Sequence, residues 1–200
     1  MDLLLLGNSG VSMGHALVGI DLESGEWIRL MTKHQDGHFL IDETGTELAF
    51  LGFRSLRTLD VLQVTLGERC PDLGYAECVY FETMKYKGTW NLHDNLAQLD
   101  KYVDRTWLEP STRSSWLIKV DSPEFYVSLH DTYAEARSRF KHNGVDYDVR
   151  VSDHAPWIKN ARDQRNKTVA YPQNRTWYFT VCLAKPGRGD LVRIVSALLT

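Results

Sequence analysis

The stretch GIDLESGEWIRL, residues 19–30, contains two apolar segments joined by a short polar turn. Gly25 can take the positive φ that a tight hairpin needs, and the preceding Ser24 suits a turn. The stretch therefore predicts a β-hairpin whose outgoing strand is Trp27–Leu30.

Trp27 and Arg29 lie on the same side of that predicted strand, because successive strand residues point to opposite faces. A large ring beside a permanent cation can stack on a base and contact a phosphate or a carboxylate. An ordinary hairpin with a half-buried tryptophan and a solvated arginine has the same pattern. Both interpretations stay open at this point.

Strand-like patterns continue on both sides of the hairpin. Leu3–Leu6 is a continuous apolar run, which favours a strand covered on both faces. Val145–Ser152 alternates apolar and polar residues, as a half-buried strand does. On its polar side, Asp146 and Asp148 are expected to be solvated or paired with Arg150. Further short strands are predicted at residues 15–21, 60–66, 78–83, 116–120, 125–129, 175–183 and 191–199.

Two segments have helical patterns. Apolar residues from Leu92 to Trp107 recur at steps of three or four, and Asn91 can cap that helix. Asp131–His142 is interpreted as a second helix, since Asn143-Gly144 after it is a common C-terminal stop. Pro110 breaks regular structure between the halves. The pattern predicts a mainly β (α+β) protein with two small barrels, residues 1–110 and 111–200, each with a helix.

Composition excludes several classes of protein. No apolar run in the 200 residues approaches the length of a membrane span, and Met1–Leu6 is too short for a signal sequence. Cys70, Cys78 and Cys182 are odd in number and lack Cys-x-x-Cys spacing. A disulfide framework or a zinc site is therefore not expected, and a reducing cytoplasm fits.

The formal net charge of −3 hides an asymmetry between the two ends of the chain. Residues 1–149 carry 14 Lys/Arg and 23 Asp/Glu, whereas residues 150–200 carry nine and three. In the basic end, cations alternate with rings, a combination that neutralises phosphates and stacks on bases. The predicted ligand-binding residues are Trp27, Arg29, Arg150, Lys159, Arg162, Arg165, Lys167, Arg175, Trp177 and Tyr178. The alternative is that the basic end packs on the acidic body, or docks a partner protein or a second copy.

Several segments resemble the prokaryotic dual OB-domain proteins. GNSG at residues 7–10, GHALVGIDLESGEWIRL at residues 14–30 and SLRTLDVLQVTL at residues 55–66 resemble the start of these proteins. YDVRVSDHAPWI at residues 147–158 and WYFTVCLAKPGRGDLVRIVSALL at residues 177–199 resemble their later strand end and closing hairpin. The chain departs from the family at His154, where a proline is usual, and at Cys182–Ala184, where the family has Ser-Leu-Gly.

The resemblance implies two OB-like five-stranded barrels that bind single-stranded nucleic acid or a small nucleotide. It also implies a prokaryotic setting of conflict with phage, and it brings no catalytic residues. Asp153, at the strand end that carries the resemblance, joins the predicted ligand-binding residues.

Catalysis is the less favoured function. Histidine–carboxylate neighbours occur at His93-Asp94, His130-Asp131 and Asp153-His154, and a metal-dependent nuclease or phosphodiesterase could use such groups. Adjacent residues point apart, however, and no nucleotide-loop, zinc-protease or hydrolase motif is present. We therefore predict a non-enzymatic protein with no catalytic residue, metal or cofactor. A protein-interaction subunit is the first alternative.

Overall fold

The computed structural model describes residues 1–11, 14–31, 56–70, 75–105, 113–130, 133–152, 156–163, 176–184 and 192–199. The chain divides into two compact units. The first consists of Met1–Tyr102 with Ser111–Ser114, and the second of Val103–Pro110 with Ser115–Thr200. No helix in these described ranges is long and apolar enough to cross a membrane.

The first unit is a closed barrel. Its strands are β1 (Asp2–Val11), β2 (Gly14–Asp21), β3 (Trp27–Met31), β4 (Asp60–Arg69) and β5 (Cys78–Thr89). Around the barrel they follow the order β1-β2-β3-β5-β4, and β1 also pairs with β4. The pair β3–β5 is parallel, whereas the other pairs are antiparallel. This five-stranded Greek-key barrel is the OB-fold.

The predicted hairpin at residues 19–30 is confirmed, and it joins β2 to β3. Ile20 pairs with Trp27, and Gly25 takes a φ of 76°. The Asp21 carboxylate holds the turn by accepting hydrogen bonds from the backbone N–H and the hydroxyl of Ser24, at 3.3 and 2.7 Å. A short polar side chain that bonds the backbone two or three residues later favours a turn.

A glycine at position 19 allows β1 and β2 to approach closely. A Cβ built on Gly19 would lie 2.3 Å from the carbonyl oxygen of Leu4. The barrel interior is filled by Leu3, Leu5, Leu17, Ile28, Leu30, Leu62, Val64 and Met84. Alternate residues of each strand enter this core, as the pleat requires.

The helix predicted from residue 92 onwards forms, but it is shorter than its apolar pattern. Helix α1 spans Leu92–Leu99, and the Asn91 side chain accepts a hydrogen bond from the His93 N–H at 3.0 Å. A single 3₁₀ turn, Asp100–Tyr102, follows it. The last turn of α1 carries no cation and Asp100 comes next, so the charge at this end does not favour extending the helix.

The second unit has six strands and a helix. The strands are β6 (Ser115–Asp121), β7 (Glu124–Leu129), β8 (Ala134–His142), β9 (Val145–Val151), β10 (Thr176–Ala184) and β11 (Val192–Leu199). Helix α2 (Pro156–Asp163) lies between β9 and β10 in sequence. The sheet order is β6-β10-β11-β9-β8-β7, and β9–β11 is its parallel pair.

The second unit repeats the plan of the first. Only Ser122 and Pro123 separate β6 from β7, so the two outer strands of the sheet act as the halves of one bent strand. This strand pairs with β8 through one half and with β10 through the other, as β1 pairs with β2 and β4. The prediction of a mainly β protein with two OB-like domains is therefore confirmed.

The helix predicted at residues 131–142 is wrong, because the described part of this segment is strand β8. Asn143-Gly144 does not stop a helix. Both residues take positive φ, 50° and 80°, and form the tight turn from β8 to β9. Asn-Gly is the strongest short hairpin signal. Helix α2 lies in the basic end after β9, where the sequence pattern predicted no helix.

Candidate functional site

The predicted site on the first hairpin lies in a largely buried environment. Trp27 is half-buried and Arg29 is buried. The Arg29 guanidinium donates to the carbonyl oxygen of Ser114 at 3.4 Å, and the Arg29 backbone N–H donates to the carbonyl oxygen of Glu77. The carboxylate of Glu77 in turn accepts a hydrogen bond from the Ser114 N–H. These contacts stabilise the fold of the first unit, and a ligand role for Trp27 and Arg29 stays a prediction.

The two aromatic residues predicted on β10 are also buried. Trp177 contacts the ring of Phe125 edge-on, with 5.3 Å between ring centroids. Tyr178 lies on the opposite side of the strand, with the ammonium group of Lys119 5.4 Å from its ring centroid. Trp177 is 2% exposed and Tyr178 is 4% exposed, so neither ring is open to solvent. Their predicted stacking role stays a prediction.

The basic segment is described in part. The backbone of Lys159 and Arg162 lies on α2, but their side chains are not described. The predicted residues Asp153, Arg165, Lys167 and Arg175 lie outside the described residues. Their role in binding stays a prediction.

Arg150 is exposed, and it lies on a surface that we call the β7–β9 face. This face is the outward side of three neighbouring strands of the second unit. Its polar side chains are Glu124, Tyr126 and Ser128 on β7, Glu135, Arg137, Arg139 and Lys141 on β8, and Asp146, Asp148 and Arg150 on β9. The side chains between them, such as Phe125, Phe140 and Val149, enter the core. Cations and carboxylates are thus equal in number on the face.

Strand pairing sets these side chains in rows. Tyr126 lies opposite Arg137, which lies opposite Arg150 on the next strand. In the next row, Arg139 lies between Glu124 and Asp148. Directly opposed residues on one face have Cβ atoms about 5 Å apart, so members of a row can interact.

The Asp148 carboxylate joins three groups of the β7–β9 face. It accepts a hydrogen bond from the Tyr126 hydroxyl at 2.7 Å, from Nε of Arg137 at 2.8 Å and from Nε of Arg139 at 3.1 Å. Asp148 was expected to be solvated or paired with Arg150. The pairing with Arg150 is wrong, because Arg150 pairs instead with Glu135, at 3.6 Å.

Arginine side chains surround the ring of Tyr126. The Arg139 guanidinium lies 4.4 Å from the ring centroid, in a cation–π contact. The Arg137 guanidinium donates to the Tyr126 hydroxyl at 3.1 Å and pairs with Glu135 at 2.6 Å. These contacts hold two planar cations beside one aromatic ring.

The pKa values of this cluster shift as its hydrogen bonds require. Partial burial opposes ionisation of Asp148, but the hydrogen bonds from Tyr126 and Arg137 outweigh it and lower the pKa of the carboxyl group. Partial burial and the hydrogen bond to Asp148 raise the pKa of Tyr126. Asp148 is therefore a carboxylate at neutral pH, and Tyr126 is its neutral donor.

An exposed pair of rings lies at the turn from β7 to β8. The rings of His130 and Tyr133 stack with centroids 4.3 Å apart and an angle of 19° between planes. The His130 N–H donates to the carbonyl oxygen of Tyr133 at 2.9 Å, and Tyr133 is 55% exposed. This turn joins the second and third strand segments of the unit, which correspond to the first two strands of an OB barrel. Loops at this position are among those that bind oligonucleotides in OB-folds.

The profile of the dual OB-containing domain family matches residues 1–198. The chain belongs to this family. A dual OB-containing domain agrees with the two OB-like units of the structure. The resemblance of the sequence to dual OB-domain proteins is thereby confirmed.

Solved structures resemble this dual OB protein more remotely. One is described as "Crystal structure of Ifi202 HINa domain in complex with 20bp dsDNA"; it is 9% identical with a TM-score of 0.39, and the match covers 100% of this chain and 93% of that one. A second is described as "Structural mimicry for functional antagonism", with 12% identity, a TM-score of 0.38, and coverage of 100% and 91%. No curated protein matches the chain. These similarities are too remote to carry a function.

The sequence contains a signal for the β7–β9 face of this dual OB protein that the predictions above did not include. Glu135, Arg137, Arg139 and Lys141 alternate with Ala136, Ser138 and Phe140, which is the period of a strand. With Asn143-Gly144 as a hairpin turn, this alternation predicts a row of charged side chains on one face. Tyr126 and Tyr133 carried no signal of their own.

No group of three histidine, cysteine or carboxylate side chains within the described parts of this dual OB protein could hold a metal ion. Of the neighbours considered for catalysis, Asp131, Asp153 and His154 lie outside the described residues. His93 and Asp94 are exposed on the first turns of α1.

Proposed function

We propose that this dual OB protein binds single-stranded nucleic acid or a small nucleotide through the β7–β9 face, without catalysis. The observation that carries the proposal is the juxtaposition of Arg137, Arg139 and Arg150 with the Tyr126 ring on the outer side of these strands. The corresponding strands of an OB barrel are those that bind oligonucleotides.

The chemistry of these side chains suits such a ligand. Arginine forms paired hydrogen bonds with phosphate oxygens and also stacks on planar groups. A tyrosine ring stacks on any base, because every base has a π-face. The stacked rings of His130 and Tyr133 offer a second aromatic surface at the turn from β7 to β8.

The cations of the face are exposed enough to exchange partners. The Arg139 side chain is 55% exposed and lies 3.7 Å from Glu124, while the Arg150 side chain is 53% exposed and lies 3.6 Å from Glu135. Exposed ion pairs of this length contribute little, about 0–1 kcal/mol. A phosphate can therefore replace the carboxylates. Phosphate contacts by Lys159, Arg162, Arg165, Lys167 and Arg175 of the basic end are a further part of the proposal.

Fluorescence polarisation of the whole protein tests the proposal, with labelled single-stranded DNA, single-stranded RNA, duplex DNA and small nucleotides as probes. Arg150→Ala should weaken binding of the single strand about tenfold, which is the effect of one charge-assisted hydrogen bond. Lys87→Ala is the matched control, since Lys87 is an exposed cation on β5 that pairs with Asp2 in the first unit. It should leave the Kd unchanged.

Two results would contradict the proposal. One is that the folded protein binds none of the probes at low salt. The other is that Lys87→Ala weakens binding as much as Arg150→Ala, which would mean that net charge alone attracts the probe.

The wider setting is part of the same proposal: the sequence resemblance supports a prokaryotic conflict with phage, and the cysteine pattern supports a reducing cytoplasm. We infer a prokaryotic, cytoplasmic protein that acts in conflict with phage. A protein partner or a second copy, docked through the acidic and basic ends, remains the alternative. Size-exclusion chromatography at low and high salt distinguishes it, because association by complementary charge weakens as salt rises.

A further inference from the structure

Asp148 occupies the centre of the groups that a nucleic acid would contact. Its carboxylate accepts hydrogen bonds from Tyr126, Arg137 and Arg139, at 2.7, 2.8 and 3.1 Å. A phosphate group would use the same Nε–H donors. The Asp148 carboxylate thus satisfies the donors that the proposed function assigns to the ligand.

Arg139 also covers the aromatic surface of the face. Its guanidinium lies 4.4 Å from the Tyr126 ring centroid while its Nε donates to Asp148. A base cannot stack on the ring side that the guanidinium occupies. Release of Arg139 from Asp148 would free a cation for phosphate and one side of the ring for a base.

The ion pair between Asp148 and Arg139 can break, because both side chains lie at the surface. The side chains of Asp148 and Arg139 are 40% and 55% exposed. Exposed ion pairs exchange with solvent and ions at low cost. Arg137 also pairs with Glu135 at 2.6 Å, and this contact holds Arg137 in place when its hydrogen bond to Asp148 breaks.

We propose that Asp148 is an internal competitor for the anion, which limits binding of nucleic acid to the β7–β9 face and couples phosphate contact to base stacking on Tyr126. The inference rests on the proposed function of this face. A ligand phosphate displaces the Asp148 carboxylate from Arg139, and Arg139 moves from the Tyr126 ring to the phosphate. A single strand, with unpaired bases, gains both contacts, whereas inorganic phosphate gains one.

The opposite role for Asp148 predicts the opposite result. If Asp148 is a positioning residue that orients Arg137 and Arg139 for the ligand, its removal should weaken binding. The two roles are thus distinguished by the sign of one change in Kd.

Asp148→Asn in the full chain is the test, since asparagine keeps the shape and removes the charge. The probe is a labelled single-stranded oligonucleotide of mixed sequence. Removal of a like charge beside the bound phosphate should lower the Kd at least about fivefold, as two charges about 4 Å apart interact by about 1 kcal/mol even in water. Asp148→Asn should improve the affinity for inorganic phosphate less than it improves that for the oligonucleotide.

Asp146→Asn is the matched control. Asp146 lies on the same strand and face, and it pairs with Lys141 at 3.5 Å with its side chain 84% exposed. Asp146→Asn makes the same change in net charge away from Tyr126 and Arg139. Asp146→Asn should lower the Kd less than Asp148→Asn does, because Asp146 pairs with Lys141 rather than with Arg139 and the interaction between two charges weakens with distance.

The outcomes separate the inference from the proposed function. If the wild type binds and Asp148→Asn binds more weakly, or no better than Asp146→Asn, the competitor role is overturned while the proposed function stands. If neither the wild type nor Asp148→Asn binds at low salt, the proposed function fails as well.

A measurement on the wild type covers the case in which Asp148→Asn does not fold. The Nε–H resonances of Arg137 and Arg139 and the carboxyl carbon of Asp148 can be followed by NMR during addition of the oligonucleotide. The competitor role predicts that the Arg139 and Asp148 signals shift together as their hydrogen bond breaks. An Asp148 carboxyl signal that does not move at saturation would overturn it.

Discussion

The rings of His130 and Tyr133 stack 4.3 Å apart at an exposed turn of the second unit. Tyr133 keeps 55% of its surface open to solvent. A stacked pair that is already formed loses little conformational freedom when a base extends the stack, and it lies at a turn beside a face with three arginines.

Tyr133→Ala should therefore weaken binding of single-stranded nucleic acid at least about fivefold, since a stacked base contributes about 1–3 kcal/mol. Tyr133→Phe should bind as the wild type does, because the ring is retained. Leu96→Ala is the control, as Leu96 is another large exposed apolar residue, on α1. A polarisation titration measures all three, and an unchanged Kd for Tyr133→Ala would exclude the turn from the interface.

The basic segment from Lys159 to Arg175 should contribute phosphate contacts that carry no base information. If about three to five of its cations touch a single strand, the log–log salt slope of binding should be about −2 to −3.5, from roughly −0.7 per contact. Reversal of Arg162 and Arg165 to Glu should make this slope shallower and weaken all sequences alike.

Reversal of Lys85 and Lys87 to Glu is the matched control for that experiment, because both are exposed lysines on β5. It should change neither the slope nor the affinity. Loss of folding or of association in the Arg162/Arg165 variant, with no salt-dependent binding by the wild type, would instead indicate that the segment packs on acidic surface.

Gly19→Ala should destabilise the first unit severely. The new Cβ would meet the backbone carbonyl oxygen of Leu4 at 2.3 Å, and a backbone atom cannot move aside as a side chain can. We expect the free energy of unfolding to fall by about 1–3 kcal/mol, the usual cost of overpacking. Gly88→Ala on β5 is the control, because nothing lies within 4 Å of its Cβ. Urea unfolding followed by circular dichroism measures both, and equal midpoints would contradict the close approach of β1 and β2.

Cys78 should make the stability of the protein fall at alkaline pH. Burial, opposed in part by the charge of Arg29, raises the pKa of this thiol from 9.0 to about 11. Because the pKa is raised in the folded state, the contribution of the thiol to stability is complete below about pH 9 and is lost as the pH rises towards 11. The loss is about 2–3 kcal/mol at most.

Comparison with Cys78→Ala isolates this effect from the titration of lysines and tyrosines. The free energy of unfolding should fall more steeply between pH 9 and 11 in the wild type than in the variant. Parallel curves for the two proteins would show that Cys78 does not ionise on unfolding in this range.

Features with a local cause were predictable from the sequence. The turn at Ser24-Gly25 forms because of the φ that Gly25 takes and the hydrogen bonds to Asp21 nearby. Asn91 caps α1 through the N–H two residues later. The alternation of Val145–Ser152 predicts β9, because the pleat of a strand depends on that strand alone.

The β8 strand shows how a local signal can have two interpretations. Asn143-Gly144 ends helices and also forms tight hairpin turns, and both uses need positive φ. The charged residues that alternate with Ala136 and Phe140 decide between them in favour of the hairpin. The choice between a helix end and a hairpin turn therefore depends on the two-residue hydrophobic period of the segment that precedes Asn143.

By itself the sequence determined the family, the mainly β class and the hairpin of the first barrel, because these depend on short patterns and nearby residues. Only the tertiary structure decided which residues form the candidate face. Asp148 meets Tyr126 and Arg139 because the register of β7, β8 and β9 brings distant positions into rows. The tertiary structure also decided that Trp177 and Tyr178 are both buried. Alternation along a strand shows that neighbouring side chains point to opposite faces, but it does not show whether each face of the sheet is covered.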